Sequence, residues 1–143
     1  TNIPLPQNPD VIHVPTEHLD RNQIKLAYAH GDSEGGYKTP SLLGLYWTAP
    51  YLHDGGVAVG KDIDNDLGMP GTLLQGKPAD PKNSLRALVD KQLRQKVIEA
   101  NQNRLDLQEV HVQGIGHEFW VDETTGFTKK EQDALIDYVL TLE

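Results

Sequence analysis

The chain has 143 residues, a formal net charge of −8 and a hydrophobic fraction of 37%, with a mean hydropathy of −0.52. That length fits one domain with one core, and uniform acidity repels phosphate backbones, which argues against a nucleic-acid partner. No apolar run approaches the ~20 residues of a bilayer span, and the absence of cysteine excludes disulfides, thiolate metal sites and thiol catalysis.

Residues 1–36 read as an extended, proline-rich lead-in and loop, with one short strand or helical turn at 23–29 ("QIKLAYA") and a glycine-rich loop "HGDSEGG" after it. Residues 37–56, "YKTPSLLGLYWTAPYLHDGG", are too apolar for an ordinary surface loop and too broken for one long helix. Thr39 followed by Pro40 suggests a helix start, so a short helix is expected near 40–48, ending before Pro50. Residues 54–82 are rich in glycine and proline. They predict a long loop with one helical turn near Thr72, Leu73 and Leu74.

Two helices are much clearer. Leu85, Leu88, Val89, Leu93, Val97 and Ile98 recur at helical spacing and predict a helix over about 83–102, capped by Asp80 or Asn83. Thr128 and Glu131 form a capping box for a helix over about 129–142, whose apolar stripe is Leu135, Ile136, Val139 and Leu140. Between them, residues 107–122 show a short β-like alternation and then glycines around His117. The fold class expected is mainly α with long irregular loops. Long loops in a compact domain usually serve a site or a ligand.

Six histidines stand at 13, 18, 30, 53, 111 and 117, none paired at the helical spacing of a zinc-protease motif. His53 in "PYLHDGG" and His117 in "GIGHEFW" differ from the rest. Glycines beside them let backbone approach a flat ligand closely, and the neighbouring aromatics can pack on its face. Met69, the single methionine, offers a soft thioether suited to haem iron. Asp62, Asp64 and Asp66 alternate as calcium ligands do. However, the glycine and the closing glutamate of a calcium-binding loop are out of place, and a solvated acidic turn is the plainer reading.

The segment 37–56 resembles "(Y/F)-K-T-P-x-L-x-x-(L/V)-x-x-T-A-P-Y-x-H-(D/N)-G" of bacterial di-haem cytochrome c peroxidases and is similar to their relatives, the rubber oxygenases. The ending "GIGHEFWVDETTGFTKKEQDALIDYVLTLE" looks like their C-terminal stretch. The two matches frame residues 37–143, the C-terminal part of a cytochrome-c-like domain. The resemblance implies an α fold around haem c and a periplasmic setting. Thr39, Pro40, Leu42, Trp47, Pro50, Tyr51 and His53 would border the haem crevice, His53 holding a propionate or its own loop. His117 is the favoured axial ligand to the iron and Met69 the second. The departure is the missing Cys-x-x-Cys-His, which in that family attaches the haem. The haem would therefore be carried by an N-terminal segment or a partner subunit, with a redox protein as the further partner. Without that other half, the apolar face of residues 42–52 would favour association or an oligomer. The competing expectation is a haem-free scaffold that binds another protein or calcium.

Overall fold

A computed structural model describes residues 40–143. The readings of the 1–36 lead-in, of its 23–29 element and of the Thr39 cap lie outside the described residues. Leu42–Glu143 form one compact unit, mainly helical. In chain order its helices are α1 (Leu45–Thr48), α2 (Gly68–Gly71), α3 (Pro81–Val89), α4 (Lys91–Gln102), α5 (Leu105–Glu109) and α6 (Lys129–Leu140), with 3-10 turns at Leu73–Gln75 and Glu123–Thr125. Among the described residues β pairing is limited to two isolated antiparallel bridges, Tyr51 with Val57 and Val59 with Leu67. No described helix is long and apolar enough to cross a membrane.

The short first helix begins later than its sequence suggests. Gly44 adopts φ 74°, which ends right-handed helix geometry on its N-terminal side. Its amide donates instead to the Leu142 carbonyl at 2.9 Å, tying this segment to the chain end. The 54–82 stretch is a loop with two single turns rather than one: α2 precedes the expected 3-10 turn.

The helix expected over 83–102 is two helices. Asp80 caps α3, its carboxylate accepting from Asn83 N–H at 2.9 Å, and Pro81 takes the first helical position. Asp90 then leaves the helix at φ −105°, ψ 117° and its carboxylate caps α4 through Leu93 N–H. A carboxylate that satisfies the free amides of a new helix competes with helix continuation, so an Asp inside an unbroken apolar period can still be a boundary. The predicted alternation near 107–112 is also overturned. Arg104 holds Asp106 with two hydrogen bonds, at 3.0 and 2.7 Å, and Leu105–Glu109 closes into α5 with Leu107 buried. The last helix forms as expected, its capping box made by Thr128 Oγ1 accepting from Glu131 N–H at 3.2 Å and Thr128 N–H donating to Glu131 at 2.8 Å.

The core joins Tyr51, Val57 and Val59 from the loop to Leu85 and Ala87 of α3, Val97 of α4, and Ile136 and Val139 of α6. Helix α4 packs against α2, α3 and α5, while α3 packs against α6 and α1. A second knot sits where α3 meets α4. Buried Gln132 of α6 accepts from Arg86 at 2.7 Å and donates to Asp90 at 3.1 Å and to the Val121 carbonyl at 2.9 Å. Buried Asp122 accepts from Lys91 N–H at 2.7 Å. Asp90 thus serves both the cap and the α6 contact. Asp90→Ala should destabilise the fold by about 1–2 kcal/mol, read as a lower urea midpoint with an unchanged denaturant slope.

Candidate functional site

Residues 94, 97 and 101 share one face of α4. Arg94, Val97 and Asn101 are there all but fully buried, so a polar, an apolar and a polar side chain form one inward stripe. Buried polar groups must find partners, and these find them in the loops that carry the sequence-predicted histidines and methionine.

Asn101 Oδ1 accepts from Met69 N–H at 2.9 Å, and its Nδ2 donates to the Gly56 and Gln113 carbonyls at 2.9 and 3.0 Å. Asp54 adds a second tie. One carboxylate oxygen accepts from Gln113 and Gly114 N–H at 3.0 and 2.9 Å, and the other from Gly56 N–H at 2.8 Å. Burial alone raises the pKa of Asp54, but the amides of Gly114, Gln113 and Gly56 outweigh it and hold the carboxyl below its usual range. The "HDGG" loop and the "GIGH" loop are therefore zipped together, and the Met69 turn is joined to both.

Two of the glycines that marked these loops, Gly56 and Gly114, approach each other. A Cβ on Gly56 would come within 2.3 Å of the Gly114 nitrogen. Two backbones touch here, so the close approach is between the loops themselves rather than to a ligand.

Arg94 holds the other end of the same loop. Its Nη1 donates to the Gly114 and Gly116 carbonyls at 2.8 and 2.9 Å, while Nε and Nη2 donate to the Ala87 and Leu88 carbonyls in the last turn of α3, both at 2.9 Å. The guanidinium lies 5.5 Å from the ring centroid of Trp120. Burial pulls its pKa down to about 10, against the opposing pull of Glu118 and Asp54, so it stays charged at neutral pH.

The side chains expected at the site are distributed as follows. His117 is exposed, at φ 49°; His53 is exposed and Met69 half-buried. Trp47 is 79% exposed, with Leu42, Leu43 and Tyr46 exposed beside it in sequence, and the Tyr46 and Trp47 rings meet edge to face at 4.9 Å. Pro50 is half-buried. Tyr51 is not at a surface: it lies in the core and its hydroxyl donates to the Leu45 carbonyl at 2.7 Å. Burial, with the Asp80 charge, pushes its pKa up to about 12.

The three aspartates do not converge. Asp62 accepts from the Asp64 and Asn65 amides and from the Asn65 side chain. Asp66 pairs with Lys77 at 2.5 Å and accepts from Asp62 N–H. The hydrogen bond from Lys77 is what lowers the Asp66 pKa most. Among the described residues no group of three His, Asp or Glu side chains is placed to hold a metal ion.

A cleft of about 540 Å³ lies at the α3–α4–α6 junction and shares only Asp64 with the predicted residues. Its Arg86, Gln132, Asp90 and Asp122 are engaged in the knot described above, and Asp133 sits 2.6 Å from Arg86 as an ion pair without an aligned hydrogen bond. It is a structural joint, and the loop cluster on α4 is the better candidate. Arg94, Asn101 and Asp54 were not foreseen; the available sign was two polar residues on the apolar face of a predicted helix. Compared with known protein families, with curated proteins and with solved structures, the chain finds no match.

Two outcomes are expected. Asn101→Leu strands the Met69 N–H and two carbonyls, and should cost about 3 kcal/mol or more, with faster hydrogen exchange at the Met69 amide. Asp54→Asn should destabilise fully at neutral pH. Because the folded carboxyl titrates below its unfolded value of about 3.9, the contribution of Asp54 is present above that pH and is lost as pH falls through the folded pKa. Melting temperatures of wild type and variant should therefore converge in acid.

Proposed function

We propose that this chain forms one side of a c-type haem domain, in which the haem is carried by a further segment or a partner chain. His117 supplies the axial ligand, with Met69 as the alternative. The observation that supports this reading is the convergence on Asn101 and Asp54 of the Met69 turn and the loops that bear His53 and His117.

The donor set fits one face of such a group. His117 offers an accessible imidazole, Met69 a half-buried thioether, and Leu42, Leu43, Tyr46 and Trp47 an uncovered apolar wall. The cleft at the α3–α4–α6 junction, lined by Arg86, Asp90, Asp122 and Gln132, lies apart from these donors. Tyr51 serves from the core, holding the wall through Leu45 rather than touching the cofactor. The Asp62 carboxylate is spent on its own loop and that of Asp66 on Lys77 and the Asp62 amide, so calcium has no part in this reading.

A bound haem would supply one-electron transfer or peroxide reduction. The chain's own contribution is to present the ligand, exclude water with the apolar wall, and surround the site with net negative charge, which favours a basic redox partner. The resemblance of residues 37–56 would imply a periplasmic setting for this work.

The second reading is a haem-free module that docks another protein on the same wall. It is favoured by the lack of any cysteine for attaching haem. An absorption spectrum separates the two. Material purified from its native source, with whatever it binds, should show a Soret band. His117→Ala should shift that band and the reduction potential, and Met69→Ala should shift neither. Complete absence of the band from native material sinks the haem reading and leaves the docking module; the reverse response of the two variants makes Met69 the ligand.

A further inference from the structure

The loop 114–117 is held by groups from outside it, first at its start, where the Gly114 amide donates to Asp54 at 2.9 Å. Gly114, Gly116 and His117 all have positive φ, at 81°, 115° and 49°, and for histidine that conformation costs on the order of 1 kcal/mol or more. Such a backbone persists only where its surroundings over-determine it. Here one side chain brackets it: Arg94 Nη1 takes the carbonyls of Gly114 and Gly116, the residue directly before His117.

Arg94 is itself fixed from behind. Nε and Nη2 are bound to the Ala87 and Leu88 carbonyls at the C-terminal end of α3, where the helix dipole favours a cation. Among the described residues no carboxylate hydrogen-bonds it; four carbonyls accept from it, the charges of Glu118 and Asp54 act on it from nearby, and its plane rests near Trp120. The planar fork is what lets one group grip α3 and the loop at once. A lysine ammonium, a point charge on a flexible stem, can serve one wall but not both in that geometry.

We infer that Arg94 is the positioning residue for His117: its bidentate grip on α3 and on the Gly114 and Gly116 carbonyls sets the direction in which the imidazole is offered. This rests on the reading of His117 as an axial ligand, but its first test does not need haem. In the full chain, Arg94→Lys should move the His117 ring resonance toward its random-coil position. Amide exchange over 115–119 should quicken roughly tenfold, the scale of one lost charge-assisted hydrogen bond, while the α6 amides exchange as before. Gly116→Ala provides a second route if the lysine variant does not fold. An added Cβ there meets no atom within 4 Å, so only the loop conformation is disturbed and the same local loosening is expected. A folded variant whose His117 resonance stays in place, or uniform acceleration across all helices, overturns the inference. With haem present, Arg94→Lys should shift the Soret band in the direction of His117→Ala and add nothing in the double variant; an additive shift overturns the inference as well. A missing Soret band in the wild type rejects the haem reading alone, because the ring resonance and exchange data still decide the role of Arg94.

Discussion

The fold depends on how one helix satisfies loops that cannot satisfy themselves. Irregular backbone buried against a core carries amides and carbonyls that must be paired, and this chain has much of it between residues 51 and 82 and again after 112. Two side chains of α4 supply part of the remedy, beside the loops' own backbone pairs and Asp54. Asn101 answers three loop backbone groups, and Arg94 answers two loop carbonyls and two at the end of α3. Val97 between them is fully buried and anchors the same face in the core. Polar and apolar burial are thus interleaved on a single helix, and the loops acquire defined positions because that helix is rigid.

A charged group with no contact ion pair deep in a protein is ordinarily costly. Two features reduce the cost for Arg94. The carbonyls it binds at the end of α3 lack partners within their own helix, so the guanidinium fills a need that existed already. Those carbonyls also stand at the negative end of the helix dipole. The break at Asp90 is what makes this possible. Had the helix run unbroken from 83 to 102, the Ala87 and Leu88 carbonyls would have been spent on α-helical amides four residues ahead, leaving no terminal carbonyls there for Arg94 to bind.

This explains which parts of the structure were legible in the sequence. The capping box at Thr128 is local chemistry and formed as read, and of the two caps the sequence offered for the other helix, Asp80 and Asn83, the structure uses Asp80. The apolar period of Leu85 to Ile98 was real, but it ran through a boundary, because apolar periodicity does not register a capping carboxylate. The same method drops the polar residues of an apolar face, and so Arg94 and Asn101 went unseen beside Leu93 and Val97. At the site, the glycines beside His53 and His117 were read as letting backbone near a flat ligand, and the contact the structure shows is that of Gly56 with Gly114. What they approach could not be read locally: Gly56 and Gly114 are far apart in sequence, and only the tertiary fold shows that each is the other's neighbour. Tyr51 was misplaced for a related reason, since the motif that surrounds it is apolar on both its inner and outer sides.

The interior of the described unit is therefore largely closed in hydrogen-bonding terms, while its surface is not closed in apolar terms. Scattered exposed apolar residues are normal. Leu42, Leu43, Tyr46 and Trp47, however, lie within one short segment whose inner neighbours Leu45, Ala49 and Leu52 pack on the core. That segment is tied at Gly44, whose amide donates to Leu142, and at Leu45, whose carbonyl accepts from the core residue Tyr51. An apolar surface held this way loses little conformational freedom when it is covered, so most of the burial energy is retained on binding. The backbone of the His117 loop is held in the same manner, by Arg94 on the Gly114 and Gly116 carbonyls and by Asp54 on the Gly114 amide, so both surface features rest on bonds made within the chain.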